Sequence, residues 1–156
     1  MLGLPPWVPT SLGALILGAM LVWGFVTAAR GNKQRRAAWG DALNATLAEY
    51  EARGERALLK ATPCHIRKGF MTRPSVRAAL TSARVLCKWG GSEEIALKNV
   101  REVSEATSYN GEYRYGITWV VFECKDRELA LGFLTGEHTR WLEALRPLVA
   151  GAQAQA

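Results

Sequence analysis

From Leu2 to Ala29 the chain carries no charged side chain, and the run ends abruptly on Arg30, Lys33, Arg35 and Arg36. Its inner part, LGALILGAMLVWGFVTAA from Leu12 to Ala29, is 18 residues long with Thr27 its one hydroxyl side chain. That is close to the roughly 20 apolar residues that cross a bilayer's hydrocarbon as a helix. The run predicts one transmembrane helix over residues 10–29. Pro5, Pro6 and Pro9 keep a helix from starting much before Thr10, and Trp7 stands where an interfacial aromatic would sit. Four positive charges follow the span and none but the terminal amine precedes it. By the positive-inside rule, residues 1–9 are expected outside and the 127 residues from Arg30 to Ala156 in the cytoplasm, as a single-pass protein of the cell membrane.

A cleaved secretory signal is the rival reading, with Thr27-Ala28-Ala29 as a passable cleavage site. Its positive charges should precede the apolar core, and here they come after it. A buried core helix fits less well, because Gly13, Gly18 and Gly24 weaken a soluble helix and are common in membrane helices. Ala14 and Gly18 form one small-xxx-small pair, a pattern also found in lipid-facing filler.

The net charge of +6 is unevenly placed. Arg56 to Ser92 carries eight basic residues and no acid, whereas Glu93 to Ala156 has ten acids against seven bases. A basic half beside a tether gives an anionic leaflet as one counterpart and solvated strand faces as the other reading. Cys64, Cys87 and Cys124 are odd in number and form no CxxC pair, so neither a zinc site nor a disulfide framework is encoded, and no metal or cofactor is expected.

Residues 30–54 read as a basic juxtamembrane segment and an amphipathic linker helix. Trp39, Leu43, Leu47 and Tyr50 recur at steps of four, four and three on one helical face, and Gly54 is a natural stop. This helix either lies on the leaflet, packs on the domain C-terminal to it, or continues the span as a stalk. From Glu55 the period changes. ALLKATPCHI, RAAL, ARVLCKW, EEIALKNVREV, YGITWVVFE and RELALGF read as strands, with a hairpin turn at Lys125-Asp126-Arg127 and another at Tyr109-Asn110-Gly111-Glu112. A helix from about Thr135 to Ala150 comes last, striped by Trp141, Leu142, Leu145 and Leu148, and the tail 151–156 reads as disordered.

About seven strands and a closing helix predict a mainly β barrel plugged by that helix over residues 55–150. The segments GERALLKATPCHIRKGF, LTSARVLCKW, EEIALKNVREV and TRWLEAL resemble the bacterial pleckstrin-homology (PH) and GRAM-type superfamily. Leu80, Thr81 and Arg84 match its LTxxRL element, Ile95, Leu97, Val100 and Val103 its IPLxxIxxV strand, and Trp141 its closing helix. Packing gives the same positions a physical reason: Ile95, Leu97, Val100 and Val103 line an inner face, Trp119, Val121, Leu129 and Leu131 point inward across the hairpin, and Arg84 ties a turn.

No nucleophile elbow, Gly-rich phosphate loop or HExxH is present, so no enzyme activity is expected. The favoured function is a membrane-anchored PH-like interaction module on the cytoplasmic face, a scaffold or accessory subunit of a membrane protein complex with a protein partner. The alternative is a sensor of anionic lipid headgroups, with Arg30, Lys33, Arg35, Arg36, Arg67, Lys68, Arg73 and Arg77 as the candidate contacts. Nucleic acid is not expected as a partner, because no aromatic platform interleaves the basic residues.

Overall fold

The computed structural model of the protein describes residues 8–154, apart from the side chains of residues 8–13 and 15. The first element, α1, runs unbroken over Val8–Ala52. The linker helix continues the first helix without a break, one of the arrangements its sequence left open, since no proline or glycine pair interrupts the alanine-rich stretch beyond Arg30. Pro9 falls in its first turn, where a missing N–H costs nothing. The transmembrane helix expected over residues 10–29 falls in part outside the described side chains, and among the described residues no helix is long and apolar enough to cross a membrane. Most of the terminus expected outside, residues 1–9, also lies beyond the described residues.

Two compact units divide the chain, residues 1–35 and 36–156. In the first, Ile16, Leu17, Met20, Leu21, Val22, Trp23 and Phe25 are exposed along the helix. Among the described residues, the second holds the rest of α1, nine strands and a closing helix.

The strands are β1 (Ala57–Lys68), β2 (Met71–Thr81), β3 (Arg84–Lys88), β4 (Ser92–Ala96), β5 (Val100–Ala106), β6 (Ser108–Tyr109), β7 (Glu112–Tyr113), β8 (Ile117–Cys124) and β9 (Glu128–Leu134). Seven form one antiparallel sheet in the order β4-β3-β2-β1-β9-β8-β5, and β6 and β7 form a separate hairpin. The sheet curls around a core drawn from its inner face, including Ile66, Val76, Leu80, Val85, Ile95, Val120, Phe122, Leu131 and Phe133. A bulge helps the curl: Cys64 faces Val76 but Ile66 faces Arg73, so Pro74 and Ser75 bend β2, with Ser75 at φ 64°.

Helix α2 (Glu137–Gln153) closes the core with Trp141, Leu142, Leu145 and Val149, and Trp141 stacks on Phe133 at 4.7 Å between centroids. The helix runs three residues past its expected end, so residues 151–153 of the supposed disordered tail are helical and only 155–156 lie outside the described residues. On the sheet's other face, Leu43 and Leu47 of α1 bury against Ala79 and Leu86, flanked by Tyr50 and Ala57. The linker helix thus both continues the first helix and, through its second half, packs on the domain.

Ile95, Leu97 and Val100 line the core as expected, with Val103 packed beside it. The hairpin β8–β9 differs. Val120 and Phe122 enter the core, whereas Trp119 turns to the outer face with Val121 packed against it. A one-residue difference in register reverses every side chain of a strand, and Trp119 is buried on the outer face because the β6–β7 hairpin lays Tyr109 over it at 6.4 Å. That hairpin has Asn110 at φ 48° and Gly111 at φ 74°, the two left-handed residues of a type I′ turn.

Candidate functional site

Strands β1, β3 and β8 run in the same direction, so the turns at their C-terminal ends share one end of the curled sheet. These turns are Gly69–Phe70, Trp89–Gly91 and Lys125–Arg127. Beside the first two opens a cleft of about 290 Å³ lined by Ile66, Met71, Trp89, Lys68, Arg73 and Glu93. Phe70 stands 93% exposed at the tip of the first turn and Met71 63% exposed beside it.

Glu93 governs the charge here. Its carboxylate accepts Lys68 Nζ at 2.8 Å and Arg127 Nη2 at 2.7 Å, so one acid answers two cations. Arg73 lies 5.9 Å over the Trp89 ring. Among the described residues Arg73 of the cleft and Lys125 of the third turn enter no ion pair, which leaves cationic side chains at this end beside an apolar tip.

Arg67 behaves otherwise. It is 7% exposed on the outer face, where its guanidinium holds Glu112, the Thr72 hydroxyl at 2.6 Å and the Asn110 carbonyl at 2.9 Å. Asn110 Nδ2 in turn donates to the Gly69 carbonyl at 3.2 Å. The Thr72 hydroxyl bond, helped by Arg114 and Arg67, holds the Glu112 carboxyl below its ordinary range against the opposing effect of burial. This cluster clasps the β6–β7 hairpin to the sheet, so Arg67 serves as a tie rather than a headgroup contact.

Within the second unit the candidate contacts on the strands therefore do not form one face. Side chains alternate along a strand, so Lys68 turns to the cleft while Arg67 turns away from it. Arg73 joins Lys68, and half-buried Arg77 sits opposite Lys88 between the core residues Val76 and Ala78, facing outward. Arg30, Lys33, Arg35 and Arg36 are exposed on α1. The sequence reading missed Trp89, Lys125 and Arg127 at this end. Basic residues flanking the turns at Gly90-Gly91 and Asp126 were the available signal, and counting strand directions would have collected them at one end.

The LTxxR element is a turn-tying network, as its position suggested. Thr81 Oγ1 donates to Glu55 at 2.8 Å and accepts the Arg84 N–H at 3.0 Å, while Arg84 forks onto Glu55 and reaches Glu94. Glu93 and Glu94, adjacent in sequence, serve opposite sides and do not converge. The three cysteines are buried and free, and burial pushes the Cys64 and Cys87 thiols up, keeping them protonated. No cluster of three or more His, Cys, Asp or Glu side chains suited to a metal occurs among the described residues.

No protein-family model and no curated protein matches this sequence. Among solved structures, the chain is similar to the Vps36 N-terminal PH domain, with a TM-score of 0.54 at 16% identity, over 64% of this chain and 82% of that one. It is also similar to the C-terminal domain of an unknown protein from Leishmania infantum, with a TM-score of 0.46 at 12% identity, over 64% and 89% of the two chains. The first likeness, with the curled seven-stranded sheet and its closing helix, makes the fold PH-like.

Proposed function

We propose that the chain is a membrane-anchored PH-like interaction module on the cytoplasmic face, acting as a scaffold or accessory subunit of a membrane protein complex, without catalytic activity or cofactor. The observation that carries this reading is a helix exposing seven large apolar side chains from Ile16 to Phe25, turning basic at Arg30, Lys33, Arg35 and Arg36, and leading into a PH-like unit. An uninterrupted apolar surface of that kind is costly in water and natural in lipid. The charge order favours an outside N-terminus.

Purification of the full chain in a mild detergent tests the proposal. A stoichiometric membrane-protein partner that co-elutes is the expected result. A chain extracted in quantity without detergent overturns the anchor, and a chain that always elutes alone overturns the scaffold.

One observation favours the second reading, contact with anionic lipid. Arg73 lines the cleft with the exposed Met71, Phe70 stands exposed at the tip of the same turn, and Lys125 lies in another turn at that end, an arrangement suited to a negatively charged surface with an apolar layer beneath. Glu93 works against it by answering Lys68 and Arg127, which is why the protein partner stands first.

A further inference from the structure

Strand β1 is paired along its whole length on one side only. Its contact with β2 spans Ala57 to Lys68, but β9 meets it only at His65, Ile66 and Arg67, because β9 then leaves for α2. Among the described residues no strand covers the other side of β1 from Leu58 to Pro63. In its place lies an open groove of about 590 Å³, lined by Leu58, Lys60, Ala61, Pro63, Leu134 and Arg140 together with Thr62 and Glu137.

The groove has an apolar floor and a cationic rim. Leu58, Ala61 and Pro63 line it together with Leu134, one of the few large apolar side chains the PH-like unit leaves exposed, at 61%. Lys60 and Arg140 are exposed, and among the described residues neither enters an ion pair. Glu137, the one acid lining the groove, sits in the first turn of α2, where the positive end of the helix dipole offsets its charge.

Two features limit what fits. The register of β1 shifts between Leu59 and Thr62, and Pro63 offers no N–H, so a long added strand cannot pair continuously. Thr62 Oγ1 also donates to the Lys60 carbonyl at 3.0 Å within the same irregular stretch. Six residues of strand span about 20 Å at roughly 3.3 Å per residue.

From the unpaired half of β1, its apolar floor and the two unanswered cations at the rim, we propose that this groove receives a short, extended, acidic segment of a protein partner, with one apolar side chain seated over Leu58 and Leu134. The proposal deepens the interaction-module reading and rests on it. Carboxylates meet Lys60 and Arg140, a few backbone bonds reach the free edge, and the bulge and Pro63 keep the segment short.

Peptides of about a dozen residues, displayed on phage and selected on the full chain in nanodiscs of neutral phosphatidylcholine, test it. Selection is expected to enrich sequences with two or more acids beside a β-branched or aromatic residue. Their synthetic forms should bind about tenfold or more weakly to Lys60→Glu with Arg140→Glu, since reversing two rim charges turns attraction into repulsion. The milder pair Lys60→Gln with Arg140→Gln should give a smaller loss, and Thr62→Arg should block the groove. No enrichment over empty nanodiscs overturns the proposal. So does binding to the reversed-charge variant within about twofold of wild type, an outcome that leaves the module reading standing because peptides then bind elsewhere.

Discussion

Arg84 and Glu55 meet as a fork on a fork: Arg84 Nε reaches Glu55 Oε2 at 3.0 Å while Nη2 takes Oε1, and the Thr81 hydroxyl completes the same carboxylate at 2.8 Å. The pair binds the entry to β1 to the turn between β2 and β3, and Arg84 lies 4.4 Å over the Tyr50 ring at the end of α1. Arg84→Ala is expected to cost about 1.5–3 kcal/mol, the range for hydrogen bonds to charged groups. Arg84→Lys should recover less than half, because an ammonium cannot fork. Urea unfolding of residues 36–156, which form a compact unit, measures both. A loss under about 0.5 kcal/mol for the alanine variant would remove the network from the stability of the domain.

Gly132 should tolerate no side chain. A Cβ there would stand 2.8 Å from Ile117 Cγ2 and 2.9 Å from Trp119 Cζ3. Gly132→Ala is expected to destabilise by about 1–3 kcal/mol through overpacking. The fluorescence of Trp119, buried beneath Tyr109, should shift toward that of an exposed indole. A variant with wild-type melting and emission would contradict the contact.

Two groups contribute to the response to acid. Burial, with Arg114 adding to it, lowers the His65 pKa below 6.5, so below that pH the unfolded chain binds more protons than the folded one. This contribution is fully present above pH 6.5 and is lost as pH falls through the folded value. Glu112 acts in the same direction at lower pH. Its folded pKa lies below 4.5, so the clasp on Arg67 holds above 4.5 and weakens as pH drops through the folded value. Chemical denaturation at a series of pH values should show stability falling below 6.5 and again below 4.5. His65→Gln should flatten the first slope and Glu112→Gln the second. Profiles parallel to wild type would refute the assignments.

The lipid reading has its own test in the fragment from Arg36 onward, which is expected to be soluble and β-rich by circular dichroism. Each basic residue near an anionic surface contributes about 1 kcal/mol, so changing Arg73 and Lys125 together to Ser should cut sedimentation with phosphatidylserine vesicles by about thirtyfold. Binding should also fade as salt shortens the screening length from about 8 Å. Arg67→Ser should instead lower the melting temperature, because it tears the β6–β7 clasp. If wild type ignores the vesicles, the lipid reading fails.

Much of the candidate site was legible only as a list of basic residues. Lys68 and Arg73 could be named from composition, but that Arg67 and Arg77 face away from them depends on strand alternation combined with a bulge at Pro74–Ser75. The LTxxR network fared better, because Thr81 and Arg84 act across a tight turn and local chemistry places them.

What the sequence determined by itself was local. The apolar run and its charge order, the period of three to four from Trp39 to Tyr50, the Asn110-Gly111 turn and the stripe of α2 all derive from neighbours within a few residues, where periodicity and φ preference act directly. Tertiary structure decided what depends on distant partners. Trp119 turned to the outer face because the β6–β7 hairpin was there to cover it, and Trp89 and Arg127 joined Lys68 because strands far apart in sequence run the same way. Half of β1 stayed uncovered because β9 departs for α2 after pairing with only three of its residues. Packing between faces and the direction of strands are properties of the assembled sheet, and no window of sequence contains them.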